Sequence, residues 1–270
     1  DLLRFYKKYY SATVMRLVIL GSESLDELES MSREMFSAIP NRNTQQKPIR
    51  QPIFVDAQLP MLLRVKPEGT LRRLELNFQI PEFRDQYDLI VAELDYAAKL
   101  VGQEGEGSLL SALKTAGLAD GLSSGSGLEW RGGALFSINI SLTEQGVADY
   151  ERVLQHVFAY LDLLRDQEPL ERIFDEQAAL AELAFRFREP STPIHYVSML
   201  ADAMHYFAPE DTLRGRYTLD RFAPREIARA LDSLRPELAH VTLTAPEVKT
   251  SRKTDYYNVA YSLAGPEAVL

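Results

Sequence analysis

LVGQEGEGSLLSALK, residues 100–114, is a glycine-rich corner between two helical patterns. Three glycines, Gly102, Gly105 and Gly107, stand within six positions, and glycine lets a backbone turn sharply and approach another segment closely. Ser108 is a suitable N-cap for the second helix, and Gly117 is a suitable residue just beyond its end. The stretch therefore predicts two helices joined by a tight corner.

The segments on either side of this corner alternate between strand and helix patterns. Alternation of apolar and polar residues predicts a strand over 134–142, and helical spacing of apolar residues predicts a helix over 85–101. The other predicted elements are strands at 62–65, 71–80 and 239–244, and helices at 108–116, 143–164, 169–188, 193–206 and 224–234. Strands mixed with paired helices, without a regular strand–helix–strand rhythm, favour an α+β fold with an antiparallel sheet flanked by helices.

The first forty residues form a separate group of predicted elements. They comprise a helix over 2–10, a strand over 14–20, and a helix whose start is marked by the capping-box pair Ser24 and Glu27. Residues 41–52 are polar and rich in proline, which predicts a linker.

Composition excludes several classes of function. The 270 residues carry a net charge of −9 and include no cysteine. The negative charge argues against nucleic acid as a partner, and the absence of cysteine excludes disulfides, thiolate metal sites and thiol nucleophiles. We find no apolar run long enough for a membrane span and no signal peptide.

The sequence contains no recognisable catalytic motif. None of the four histidines begins a His-Glu-x-x-His or His-x-x-Glu-His zinc motif, and no Gly-x-Ser-x-Gly nucleophile elbow lies between a strand and a helix. The glutamates at 104 and 106 oppose anion binding at the corner. The residues alone therefore predict neither a catalytic nor a metal site.

Several runs, in order, resemble the pitrilysin/insulinase-type zinc metallopeptidases. They are FYKKYYSA (5–12), SLDEL (24–28), GQEGEGSLLS (102–111), SLTEQG (141–146), FRFR (185–188), HYF (205–207) and LRPE (234–237). The resemblance covers nearly the whole chain. It implies that 1–40 is the C-terminal part of the catalytic N-terminal domain, 41–52 a linker, 53–248 a second, non-catalytic domain, and 249–270 a segment leading to further domains.

The same resemblance implies a function in peptide degradation. Large members of the family enclose peptides in a chamber, and their zinc is bound by residues that would lie upstream of Asp1. The chain is thus expected to be a non-catalytic wall of a bacterial zinc metalloendopeptidase, inactive on its own, with peptide substrates and the other domains of its own protein as partners. The implied location is the periplasm, with the cytoplasm as the alternative.

The resemblance also suggests substrate-binding residues. In insulin-degrading members the second domain has an exosite, which binds the N-terminal end of the substrate as an added strand. The matching positions here are Gly102, Gln103, Glu104, Gly105, Leu122, Ser123 and Ser124. The match has departures: Lys99 and Gln103 replace histidines, and Ser124 replaces a glycine.

Three alternatives stay open at this point. The glycines at 102 and 105 can simply shape a helix–helix corner. The chain can instead belong to a catalytically inactive scaffold or partner subunit of the same superfamily, or it can be a free-standing peptide-binding module.

Overall fold

The computed structural model describes residues 1–45, 51–55, 58–81, 87–130, 133–219 and 221–269. Its helices are α1 (Leu2–Tyr9), α2 (Leu25–Phe36), α3 (Tyr87–Val101), α4 (Leu109–Thr115), α5 (Glu144–Ala148), α6 (Tyr150–Arg165), α7 (Glu171–Arg186), α8 (Pro193–Ala203) and α9 (Pro224–Asp232). Its strands are β1 (Met61–Lys66), β2 (Arg73–Pro81), β3 (Ala119–Trp130), β4 (Gly133–Leu142), β5 (Ala239–Thr244), β6 (Arg252–Lys253) and β7 (Ala260–Ala264).

The chain divides into two compact units. The first comprises Asp1–Pro48 and Ala178–Thr218, and the second comprises Ile49–Gln177 and Leu219–Leu270. Within the first unit, Arg16 Nε donates to the carbonyl oxygen of Met204 over 3.1 Å, so residues distant in sequence are joined. Residues 178–218, which the sequence assigns to the predicted domain 53–248, are grouped with the N-terminal residues.

The second unit is built around a seven-stranded sheet in the order β3-β4-β2-β5-β1-β7-β6. Every pairing is antiparallel except the one between β1 and β5, which is parallel. The fold is therefore α+β with a sheet flanked by helices, as predicted, and the sheet is mixed rather than wholly antiparallel. Two strands that are separated by more than 170 residues can run in the same direction because the intervening chain supplies the crossover.

One face of the sheet carries the core. The alternation predicted for β4 is confirmed, since Ala134, Phe136, Ile138 and Ile140 are all fully buried. With the apolar residues of β2 and β5 they pack against α3, α4, α6 and α9. The other face is polar: Ser137 Oγ donates to Asn77 Oδ1 over 2.5 Å, and Asn77 Nδ2 donates to Glu75 Oε1 over 2.8 Å.

The helix-end signals predicted from sequence are present. Ser24 and Glu27 form a capping box at the start of α2. Ser108 Oγ accepts from Ser111 N over 3.1 Å at the start of α4. Gly117, just beyond the end of α4, has a positive φ of 69°, a conformation that glycine adopts without strain.

A set of contacts that we call the clasp joins the start of β3 to the end of β4. It consists of Gly117, Leu118, Thr143 and Gly146. Thr143 N donates to Leu118 O over 3.1 Å, and Thr143 Oγ1 donates to Gly117 O over 2.7 Å while accepting from Gly146 N over 2.9 Å. Gly146 lies so close to Leu118 that a Cβ atom would overlap the Leu118 carbonyl oxygen. The clasp therefore requires glycine at position 146.

Three segments differ from the sequence prediction. The single helix predicted over 143–164 is divided into α5 and α6 at Asp149, whose backbone is not helical. The strand predicted over 14–20 is wrong: Ala12–Val14 forms a 3₁₀ turn, and Met15 is extended without a strand partner in the described residues. An apolar stretch forms a ladder only where another strand pairs with it. Residues 249–270, predicted as connecting sequence, carry β6 and β7, and β7 pairs with β1.

We expect Gly146→Ala to lower the free energy of unfolding by about 2 kcal/mol, because the new methyl group forces the clasp apart. Urea denaturation measures the change. Gly69→Ala is the control, since no atom lies within 4 Å of its added Cβ. An unchanged midpoint for Gly146→Ala would show that the clasp tolerates a side chain.

Candidate functional site: an outer strand and a glycine corner

β3 is the outer strand on one side of the sheet. It pairs with β4, and in the part of the chain that the structure describes no strand pairs with its other edge. The pairing shifts register twice, between Ala119 and Gly121 and between Ser126 and Leu128. An outer strand offers backbone N–H and C=O groups to an added strand of any sequence. Leu122, Ser123 and Ser124 lie between the two shifts.

The predicted corner lies against this strand at one point. Gly102 N and Ser124 Oγ both donate to the carbonyl oxygen of Ala98, over 2.8 and 2.9 Å. A Cβ atom on Gly102 would stand 2.9 Å from that oxygen and 3.2 Å from Ser124 Oγ. Glycine at 102 thus permits the end of α3 to approach β3, and Ser124 holds it there.

The glycines of the corner have different roles. Gly107 has a positive φ of 82°, so its conformation favours glycine. Gly105 has neither a positive φ nor an atom within 4 Å of an added Cβ. The interpretation of the corner as a purely structural turn therefore accounts for Gly102 and Gly107 but not for Gly105.

The other five predicted residues lie around the contact between Gly102 and Ser124 but do not take part in it. Gln103, Glu104 and Gly105 are exposed on the loop between α3 and α4. On β3, Leu122 packs against the core and Ser123 is exposed. The fold thus brings the seven residues to one region of the second unit, and the contact between Gly102 and Ser124 joins its two parts.

A further acidic residue beside β3 was not predicted from the sequence. Asp95 lies on α3, one turn before Lys99; the residue as a whole is exposed, whereas its carboxyl group is partly shielded from solvent by the surrounding protein. Burial of its carboxyl group and, to a smaller extent, the negative charge of Glu129 on β3 together raise its pKa to about 6. The four-residue spacing of Asp95 and Lys99 indicates a shared helix face, but the position of Asp95 beside Glu129 depends on how α3 packs against β3.

The described residues offer no metal centre. Outside the gaps in the description, no group of three or more His, Cys, Asp or Glu side chains could hold a metal ion. His240 on β5 instead stacks on Phe54, with ring centres 4.7 Å apart, and burial lowers its pKa. Nor does any described helix combine the length and apolar character needed to cross a bilayer.

Comparison with known proteins identifies the family. Residues 1–180 match the model described as the peptidase M16 inactive domain, and residues 185–266 match the middle or third domain of peptidase M16. The chain belongs to the M16 peptidase family. The resemblance to pitrilysin/insulinase-type peptidases is therefore confirmed.

Relatives and solved structures agree with this assignment. The M16 chain is 35% identical to the insulin-degrading enzyme of Bos taurus over 97% of its own length and 26% of that enzyme. It matches the crystal structure of pitrilysin with a TM-score of 0.90 and 27% identity, over 97% of this chain and 28% of pitrilysin. The fold is also similar to the periplasmic protease PqqL from Escherichia coli, with a TM-score of 0.62 and 14% identity, over 91% of this chain and 28% of PqqL. The M16 chain thus spans about a quarter of these relatives.

The sheet combines both matched segments of the M16 chain. Strands β1 to β4 belong to the segment matched by the inactive-domain model, whereas β5 to β7 belong to the segment matched by the middle-domain model. Because β5 lies between β2 and β1, the second segment completes the sheet of the first.

We expect Asp95→Asn to stabilise the fold at pH 7 but not at pH 4. The folded state raises the pKa of this carboxyl group above its ordinary value, so the cost of ionising it is absent below about pH 4 and complete above about pH 6. The whole pKa shift of Asp95 corresponds to roughly 3 kcal/mol. Because solvent screens this exposed residue, we expect the free energy of unfolding of Asp95→Asn to rise at pH 7 by about 1 kcal/mol.

Urea denaturation at both pH values measures this difference, and Asp120→Asn, an exposed carboxylate on β3, controls for the loss of one negative charge. A stability gain for Asp95→Asn that is equal at pH 4 and pH 7 would contradict the assigned cause.

Proposed function

We propose that this M16 chain is a non-catalytic, peptide-binding wall of a zinc metalloendopeptidase, and that it binds an extended peptide as an added strand on β3. The observation that carries the proposal is the contact between Gly102 and Ser124, which holds an exposed glutamate-bearing loop beside an outer strand. The family assignment and the name of the inactive-domain model support a non-catalytic role.

The proposed peptide would run along β3 between its two register shifts. Backbone groups of Leu122, Ser123 and Ser124 would pair with the peptide main chain, which makes binding largely independent of sequence. Glu104, exposed on the adjacent loop, would interact with the positively charged α-amino group. An exposed ion pair of this kind contributes at most about 1 kcal/mol, so the strand supplies most of the affinity.

The chemistry of hydrolysis is assigned to another part of the protein. The described residues do not fit a zinc ion, because they provide no cluster of suitable ligands. On the strength of the family assignment, we propose that zinc belongs to the full-length protein and that the other domains of that protein are partners of this chain. The division into residues 1–40 of a catalytic domain, a linker over 41–52, a second domain over 53–248 and a segment over 249–270 stays a prediction.

The origin and compartment also stay predictions. The proposal of a bacterial, periplasmic protein is supported by the fold shared with PqqL, which is described as periplasmic. The more similar curated relative named above comes from cattle, which favours neither a bacterial source nor the periplasm. Acidic composition gives no support to nucleic acid as a partner.

A catalytically inactive scaffold of the same family is the second candidate, and the description of the matched model as inactive favours it equally. The presence of a His-x-x-Glu-His motif upstream in the full-length protein distinguishes the two. If the motif is absent, the peptide-binding edge can still be tested, whereas the role in a peptidase would be excluded.

An NMR titration of the isotopically labelled chain tests peptide binding. With an extended peptide of about 15 residues, we expect shifts at residues 102–105 and 122–124. Acetylation of the peptide N-terminus should weaken binding no more than about fivefold, because it removes one exposed ion pair. Shifts confined to other elements, or none at millimolar peptide, would overturn the proposal.

Glu104→Gln identifies the residue that contacts the α-amino group. We expect this variant to bind the free and acetylated peptides equally, while Glu106→Gln, an exposed control on the same loop, should keep the preference for the free peptide. If Glu106→Gln abolishes the preference and Glu104→Gln retains it, the assignment to Glu104 is wrong.

The chain itself is expected to hydrolyse no peptide. A fluorogenic peptide assay with added zinc, with and without a chelator, measures this. Zinc-dependent cleavage by the purified chain that the chelator abolishes would contradict the assignment of catalysis to another domain.

A further inference from the structure

A cavity of about 500 Å³ lies in the second unit, away from the outer strand β3. It opens beside β1 and β5 and is bordered by α5 and the start of α6. Its volume falls within the range of small-molecule sites, roughly 300–1,000 Å³. The lining side chains that matter for its chemistry are Arg64, Val147, Tyr150, Leu243, Val248 and Lys249.

The cavity contains a cation without a carboxylate partner. Arg64 is half-buried, its guanidinium donates to Tyr150 Oη over 3.1 Å, and its central carbon lies 5.7 Å from the centre of the Tyr150 ring. The Tyr150 hydroxyl donates in turn to Glu151 over 3.4 Å. Within the described residues, no acidic side chain forms an ion pair with Arg64. A phenol satisfies only part of a guanidinium, which has five N–H donors.

The two glutamates at the cavity are occupied by another arginine. Arg72 donates to Glu247 over 2.5 Å and to Glu144 over 3.2 Å. Among the described residues, Arg64 and the exposed Lys249 are the lining cations that form no ion pair with a carboxylate. An anion that enters can therefore pair directly with Arg64, although the single charge of Arg72 offsets only part of the negative charge of the two glutamates.

The remaining wall is apolar. Val147 and Leu243 are buried and Val248 is half-buried. A hydrocarbon group placed against them would gain about 25 cal/mol for each Å² that it removes from water. The cavity thus combines a hydrogen-bonding cation with an apolar surface.

We propose that this cavity binds a small carboxylate that carries an apolar group. The planar carboxylate matches the guanidinium of Arg64 in a paired arrangement, and its apolar group contacts Val147, Leu243 and Val248. A fatty acid and the C-terminal residue of a peptide share this chemistry. Octanoate and N-acetyl-leucine represent these two sources.

Titration calorimetry with the whole chain tests the proposal. We expect saturable binding of octanoate, of N-acetyl-leucine or of both, and no binding of octylamine, in which a positive charge replaces the negative one. Stronger binding of octanoate indicates a fatty acid, and stronger binding of N-acetyl-leucine indicates a peptide terminus. The proposal would be overturned if octylamine bound equally well. It would also be overturned if neither carboxylate saturated the chain at 5 mM, which is about fivefold above a weak Kd of roughly 1 mM.

Variants locate the site. Arg64→Met, which keeps an unbranched, flexible side chain but removes the charge, should weaken binding at least tenfold. Tyr150→Phe, which frees the Arg64 donor from its phenol, should leave binding equal or stronger. Arg73→Met, an exposed arginine on β2, is the control and should bind like the original chain. Thermal melting checks that each variant is folded.

If Arg64→Met does not fold, NMR of the original chain decides the location of the site. Shifts of the Tyr150 and Val147 resonances on octanoate addition would place the ligand in this cavity, and the absence of such shifts would refute the proposed location.

Discussion

The close approach of Gly146 to the carbonyl oxygen of Leu118 is the constraint on which the rest of this sheet depends. It leaves no space for a side chain at position 146, and Thr143 adds hydrogen bonds to Gly117 and Leu118. These contacts connect the turn after α4 to the turn after β4. Since β3 begins at Ala119, the clasp determines where the outer strand enters the sheet.

The candidate peptide-binding edge follows from that arrangement. With β3 entering at the clasp, the end of α3 meets the strand at Ser124, and the absence of a side chain on Gly102 permits the approach. The loop that bears Glu104 is thereby held beside a strand whose outer edge is unpaired in the described residues. Strand addition needs little else, because main-chain groups provide the hydrogen bonds.

The order of the strands links distant parts of the chain. β5 separates β2 from β1, and β7 pairs with the other side of β1. The residues that match the inactive-domain model therefore share one sheet and one core with residues that match the middle-domain model. The cavity beside Arg64 depends on this combination, because Arg64 and Leu243 come from the two different segments.

The sequence by itself determined the elements whose signals are local. Helix caps at Ser24 and Ser108 depend on residues three positions apart, and the burial of β4 depends on strict alternation, so both can be read along the chain. The resemblance of its motifs identified the family and suggested the residues of the candidate edge. Only the tertiary structure decided that β3 is an outer strand, that Asp95 lies beside Glu129, and that Arg64 faces Tyr150, because these contacts join segments far apart in sequence. The same reason explains the missed strand β7 and the wrong strand at 14–20, since pairing depends on a partner that no local pattern reveals.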